Sequence, residues 1–301
     1  DGDSDRRRES ERRVVQGSPE RAAIEGGLQP DAIVIGTIMR NQKRKLYPEL
    51  IKVFEKILDK LEPEIASKTI LYLHTSFPDA GWDFMDLVKN SSVSNKIYFT
   101  YMCKACGAVF ASPFSDMLQP CYKCSQKAAM MPNVNNGLDT SVLAKVINTF
   151  NVYVQYAICE GFGMPQIEAA ACGVPVMTVD YSAMIDVIHK LEAIPIKVGS
   201  FFKELETSAI RVYPCQEDTI NKIIEIINMP DPIRMRLGLK TRQLVEQHYN
   251  WDDIINIWTK YIDEAPSMQS VWNDKNPRYL PKVDISKIPQ TRNAYELIVT
   301  V

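Results

Sequence analysis

The sequence predicts an α/β protein in which a doubly wound parallel sheet is covered by helices on both faces. Three observations carry that reading. Short apolar runs alternate along the chain with longer stretches of helical period, the order that builds parallel βα units. The stretch 47–61 sets Leu50, Phe54, Ile57, Leu58 and Leu61 on one helix face. The segment from Val152 to Val179 reads as strand, glycine loop, helix and strand in direct succession.

Taken in order, a strand is expected over 32–38 and the amphipathic helix over 47–61. Further strands are expected over 69–74 and 96–100. A helix over 143–150 leads into a strand over 152–158. Gly161 and Gly163 then let the backbone turn sharply and approach a ligand more closely than a Cβ would allow. Pro165 suits a first helical turn, and Gly173 ends that helix after roughly two turns, where a left-handed residue is wanted. A strand over 174–179 follows, then a helix over 183–191 and a strand over 210–213. Helices over 217–229, 232–248 and 252–262 complete the order.

At 301 residues, with 46% hydrophobic and 24% charged residues, the chain can bury a sizeable core. A net charge of −2 argues against general polyanion binding. No apolar run reaches the roughly 18 residues of a membrane span, and no secretory signal opens the sequence. Residues 1–30 interleave six arginines with acids and lack an apolar period, so this segment is expected to be mostly disordered. Residues 265–301, with four prolines, are expected to form an extended tail that packs on another surface. The folded domain is expected over 31–264.

The loop Glu160-Gly161-Phe162-Gly163 opens a helix, and free backbone N–H groups at a helix N-terminus can hold a phosphate or a sugar hydroxyl. Glu168 lies about one turn into that helix, where a carboxylate can accept two hydrogen bonds from a ribose diol. Glu160, in the loop, can face a neighbouring sugar. A Gly-x-Gly loop by itself more often only joins strand to helix. The basic run Arg40-Asn41-Gln42-Lys43-Arg44-Lys45 follows a buried strand, and ligands of open α/β sheets bind beyond the carboxyl ends of the strands. Taken alone, that run reads equally well as a solvated basic loop or a polyanion contact.

Together these residues carry a resemblance. Glu160 and Glu168, eight apart around Gly-Phe-Gly and followed by Ala-Ala-Ala-Cys-Gly-Val-Pro-Val, resemble the donor-site signature of the group 1 retaining glycosyltransferases of GT-B fold. The block 33–40 with Lys45 beyond it looks like that family's first strand and basic loop, and Tyr249-Asn250-Trp251 is similar to the aromatic element opening its late helix. The likeness covers about residues 32–264. It implies the donor-binding, Rossmann-like half of a GT-B fold, transferring a sugar from a nucleotide-sugar donor with retention. It further implies that Arg40 and Lys45 neutralise the donor diphosphate, whose growing charge must be stabilised in the transition state. Glu160 and the Gly161, Phe162 and Gly163 backbone would lie by the sugar, with Glu168 on the ribose. Glu160, Arg40 and Lys45 are then the catalytic candidates, and no catalytic metal is expected. After 174–179 the family shows two glycines and a glutamate, whereas Asp180-Tyr181-Ser182-Ala183 here narrows the space near the donor. GT-B enzymes close two halves around the reaction. The acceptor half would precede Asp1 or come from a partner; alternatively the protein is a non-catalytic nucleotide-sugar-binding module. The acceptor is not named by the sequence.

A second signal interrupts the domain over 101–131. Cys103 and Cys106, then Cys121 and Cys124, form two Cys-x-x-Cys pairs separated by fourteen residues, a spacing that can close a tetrahedral four-thiolate zinc site. A disulfide pair or redox dithiol would use the same residues. Four thiolates leave no open position for water, so a structural rather than catalytic Zn2+ is expected, supplying folding energy to a segment too short for its own core. Few charges and no basic stripe with stacking aromatics argue against nucleic acid as the ribbon's partner. A scaffold role, or an interaction module built on the ribbon, remains. Zinc-suited cysteines fit a reducing, cytoplasmic compartment. Cys159, Cys172 and Cys215 read as small buried residues, and His74 as a polar strand end.

Overall fold

The computed structural model describes residues 27–264. The segment expected to be disordered, up to residue 26, and the expected tail 265–301 lie outside the described residues. The chain divides into two compact units, Asp1–Asn250 and Trp251–Val301. Elements of the first unit run β1 (Ile33–Ile38), α1 (Tyr47–Lys60), α2 (Pro63–Lys68), β2 (Thr69–His74), α3 (Phe84–Lys89), β3 (Ile97–Cys103), β4 (Val109–Pro113), β5 (Gln119–Pro120) and β6 (Lys127–Met130). They continue with α4 (Thr140–Ile147), β7 (Val152–Gln155), α5 (Met164–Ala171), β8 (Val176–Val179), α6 (Met184–Leu191), β9 (Ile194–Ile196), β10 (Val198–Lys203), β11 (Ile210–Pro214), α7 (Gln216–Asn228) and α8 (Asp231–His248). The described part of the second unit is one helix, α9 (Trp251–Glu264), whose stripe Trp251, Ile255, Trp258 and Ile262 is exposed.

The main sheet has the order β5-β6-β3-β2-β1-β7-β8-β9, with β4 also paired to β3. From β3 to β9 every pairing is parallel. Numbered in chain order, those six strands stand 3-2-1-4-5-6, the doubly wound order whose topological switch point lies between the first and fourth, here β1 and β7. Successive side chains leave a strand on opposite faces. Ile35, Val152 and Val154 accordingly join α1 and α7 residues such as Leu50, Phe54, Ile57 and Ile223 in one core layer. Val34, Ile38 and Tyr153 join Val146, Ile147, Ile167 and Leu191 of α4, α5 and α6 in the other. The strands are thus buried on both faces, as expected from the βα alternation. α1 forms as anticipated, with Pro48 in its first turn and its apolar stripe buried.

Several elements differ from expectation. The strand expected over 152–158 leaves the sheet after Gln155, because Tyr156–Ile158 pairs with the basic loop instead. Leu46 N–H donates to Tyr156 O at 3.2 Å, Ile158 N–H donates to Arg44 O at 3.1 Å, and Lys45 bridges Ala157. The strand over 210–213 does not enter the main sheet; it pairs antiparallel with β10, a local partner that closes with a short loop and so at small entropic cost. The strand over 96–100 runs on to Cys103, carrying the first cysteine out of the sheet. α2, α3 and β9 are too short to leave a period in the sequence, and β10 is mostly exposed and lacks an apolar run. β4 and β6 both pair with β3, so the cysteine-bearing insert extends the sheet edge.

Candidate functional site

Four loops meet at the carboxyl ends of β1, β2, β7 and β8 and are laced to one another. The loop after β1 is tied to the loop after β2 through Asn41, wholly buried, whose amide exchanges two 2.8 Å hydrogen bonds with the Trp82 backbone, while the Trp82 indole N–H donates to Lys45 O at 2.7 Å. Arg40 meets Asp79 side-on, Nε to Oδ2 at 2.9 Å and Nη2 to Oδ1 at 3.1 Å. Ser76 and the Ala80 N–H also donate to that carboxylate. Asp79 is thereby held well below the usual carboxylate range, chiefly by the Arg40 hydrogen bonds. The Arg40 guanidinium stays half exposed while Asp79 is buried.

The loops after β1 and β7 meet through Glu160. Its Oε1 accepts from the Lys45 ammonium and its Oε2 from Arg44 Nη1 at 2.7 Å. Both members of the Lys45–Glu160 pair are buried, at 5% and 9% exposure. Burial, then the Arg44 charge alongside, pulls the Lys45 pKa down to about 7; the facing carboxylate works in the opposite sense and favours the ammonium. Glu160 N–H donates to Ser182 Oγ at 3.0 Å, which brings in the loop after β8. Ser182 takes a left-handed φ of 55° in the stretch that departs from the family's glycine pair.

Immediately beyond lies the N-terminus of α5, capped by Gly163 at φ 79° with no side-chain cap. A Cβ at Gly163 would also stand 2.3 Å from the Gln166 amide. Gly161 differs: a Cβ there would meet nothing within 4 Å, so its sharp-turn role is not required by the chain itself. Phe162 is half exposed, its ring edge-on to Tyr249 at 6.1 Å. The Glu168 carboxylate, half buried, forms no hydrogen bond or ion pair among the described residues, and burial pushes its pKa up. Burial raises the Tyr153 phenol well above its ordinary value, and the Tyr47 and Glu168 charges add to the effect.

The structure joins Lys45 to Glu160 at the start of the Gly161-Phe162-Gly163 loop, keeps Glu168 about one turn into the helix that follows, and holds Arg40 on Asp79 in the loop after β2. Arg44, Gln155, Asp79 and Ser182 were not singled out by sequence reasoning. Arg44 was visible within the basic run, Ser182 within the stretch that departs from the family's glycine pair, and Gln155 as a polar residue in an apolar strand; Asp79 left no local signal. His74 turns to Thr100, Nδ1 to Oγ1 at 2.8 Å, and burial pulls its pKa down to about 4.

The cysteine pairs form a second site. The four sulfurs lie within 4.8 Å of one another, with Cys103–Cys124 at 3.7 Å and Cys106–Cys121 at 3.6 Å. A tetrahedral ion with sulfur at about 2.3 Å spaces its ligands about 3.8 Å apart, whereas a disulfide needs about 2 Å. The two knuckles repeat one turn: Gly107 N–H donates to Cys103 O and Ser125 N–H to Cys121 O, both residues with positive φ. Such a set can hold a metal ion. The insert packs on the loop after β2 through Phe114, at 5.3 Å from both Phe77 and Phe99, and Phe77 N–H donates to Pro132 O just beyond the insert.

Residues 132–244 match the family described as glycosyl transferases group 1, a span holding Glu160 and Glu168 but not the basic loop. No curated protein matches the chain. Among solved structures, sucrose-phosphate synthase from Thermosynechococcus elongatus is similar in fold, with a TM-score of 0.54 at 19% identity, over 81% of this chain and 48% of that one. A point mutant of S. aureus TarM, solved with Fondaparinux, alpha-GlcNAc-glycerol and UDP, gives a TM-score of 0.50 at 16% identity, over 78% of this chain and 36% of that one. This chain spans less than half the length of either. The fold is that of a Rossmann-like half of a GT-B glycosyltransferase.

Proposed function

We propose that this chain is the donor-binding half of a retaining glycosyltransferase, taking a nucleotide sugar and passing its glycosyl group to an acceptor held elsewhere. The observation that carries this reading is the convergence, at the switch point of the sheet, of two buried or half-buried cations on Glu160 beside a helix N-terminus that no side chain caps. Lys45 and Arg40 serve the diphosphate, the cations placed where the leaving group's charge grows. Pro165 has no N–H and Gln166 N–H donates to Gly163 O, so it is the N–H groups of the turn from Gly161 to Met164, with the open space over Gly161, that receive the sugar-phosphate. Glu160 faces the sugar, and Glu168, its carboxylate without a partner among the described residues, takes the ribose diol. The four thiolates hold a structural Zn2+; with every ligand from protein, it offers no site for substrate or water. Metal-binding thiolates suit a reducing compartment such as the cytoplasm. No helix among the described residues is long and apolar enough to cross a membrane.

The test is a thermal-shift panel of UDP, ADP and GDP with their glucose conjugates, since a ligand of the native state alone stabilises it by about 2.7 kcal/mol at a hundred times its Kd. One nucleoside diphosphate is expected to raise Tm. Lys45→Ala and Glu168→Ala, folded by circular dichroism, are each expected to weaken binding about tenfold or more, the loss of a charged hydrogen bond. No shift with any compound sinks the reading; binding without product release in the presence of acceptors leaves a binding module.

A further inference from the structure

Gln155 is a wholly buried amide at the end of a central strand, where a polar group persists only with its partners satisfied. Its Nε2 donates to Glu160 Oε1, and its Oε1 accepts from the Tyr153 hydroxyl. Tyr153 Oη also stands 3.2 Å from Ile38 O at the end of β1. The sense of the amide is forced: turned over, its oxygen would face the carboxylate, lone pair against lone pair. The carboxylate thus orients the amide and the amide orients the phenol, linking β1, β7 and the donor loop.

Glu160 has three side-chain donors, and they differ in kind. Lys45 and Arg44 are cations, and Arg44 is 39% exposed. A diphosphate entering the crevice attracts both, and whatever bond they make to phosphate is withdrawn from Glu160. Gln155 is neutral, buried and bound from behind by Tyr153, so it is not drawn toward the anion. We infer that Gln155, backed by Tyr153, is a positioning residue that keeps the Glu160 carboxylate in place beside the donor sugar when the diphosphate takes its counter-ions. This rests on the donor-site reading above.

The experiment compares calorimetric affinities for a nucleoside diphosphate and its sugar conjugate, starting with UDP and UDP-glucose and extending to the ADP and GDP pairs. Gln155→Leu removes the donor and keeps the bulk; Gln155→Met, unbranched, is the second variant should the first not fold, and Tyr153→Phe removes only the backing hydroxyl. In wild type the conjugate is expected to bind more tightly than the diphosphate. Gln155→Leu is expected to lose about tenfold of that preference while its diphosphate affinity stays within about twofold, and Tyr153→Phe to lose part of it. An unchanged preference, or an equal loss for both ligands, overturns the inference and leaves the donor-site reading standing. A wild-type protein that binds no nucleoside diphosphate overturns the reading itself.

Discussion

Lys45 is buried beside a second cation, and burial and that neighbouring charge pull its pKa down to about 7, while the facing Glu160 carboxylate opposes the fall. Because the folded value lies below the usual 10.4, the charge is complete below neutrality and declines as pH rises through 7. Diphosphate affinity is therefore expected to be highest near pH 6 and to weaken several-fold by pH 8.5, with Lys45→Arg flattening the slope; titration calorimetry across that range checks it. Arg40 illustrates the limit of reading residues singly. Its place beside the basic loop was legible, but its bidentate partner lies 39 residues downstream, in a loop with no motif. Arg44 was hidden by the opposite difficulty, since its neighbours share its charge and only the Glu160 contact singles it out.

Elements whose identity rests on a run of apolar residues were legible. β2 and α1 occupy the expected spans to within a residue, because one face or both must be buried. The glycine loop and its short helix were equally legible, since Gly163 and Gly173 adopt the left-handed values that only glycine takes without strain. Packing between elements was not. Gly238 of α8 lies against the turn after α5, and a Cβ there would stand 1.9 Å from Gly173 O, a backbone atom that cannot rotate away. Gly238→Ala is expected to cost about 1–3 kcal/mol, read from the shift in a urea midpoint. The insert makes a parallel case. Its cysteines announced themselves, but its strands joining the main sheet did not. Purified protein is expected to carry one zinc per chain by elemental analysis. A strong chelator is expected to lower Tm by about 10 °C, at roughly 2–4 °C per kcal/mol lost for a chain of this size. Retention of Tm after zinc is removed would make the insert self-sufficient.

At the scale of the molecule, a doubly wound sheet brings the loops after its first and fourth parallel strands together across the switch point, whatever their separation in sequence. Arg44 and Glu160, 116 residues apart, are joined by that topology alone. On the proposed reading a second, acceptor-binding half closes over the donor, and this chain spans less than half of the two structures named above. It is expected to bind a nucleotide sugar while releasing nucleoside diphosphate at least a hundredfold more slowly than a chain that also carries an acceptor half. A coupled assay for nucleoside diphosphate on both chains checks this; equal rates would show that one half suffices.

Sequence alone determined the βα alternation, the glycine loop, the two glutamates and the four cysteines, because each follows from local demands: burial of a periodic face, a left-handed turn, or ligands close enough to share one ion. Only the tertiary structure decided which cation faces Glu160, that Asp79 holds Arg40, and that Gln155 and Tyr153 underlie the site. Those pairings depend on strand order and on where a strand leaves the sheet, and burial makes them strong by removing the water that would otherwise compete for the same charges.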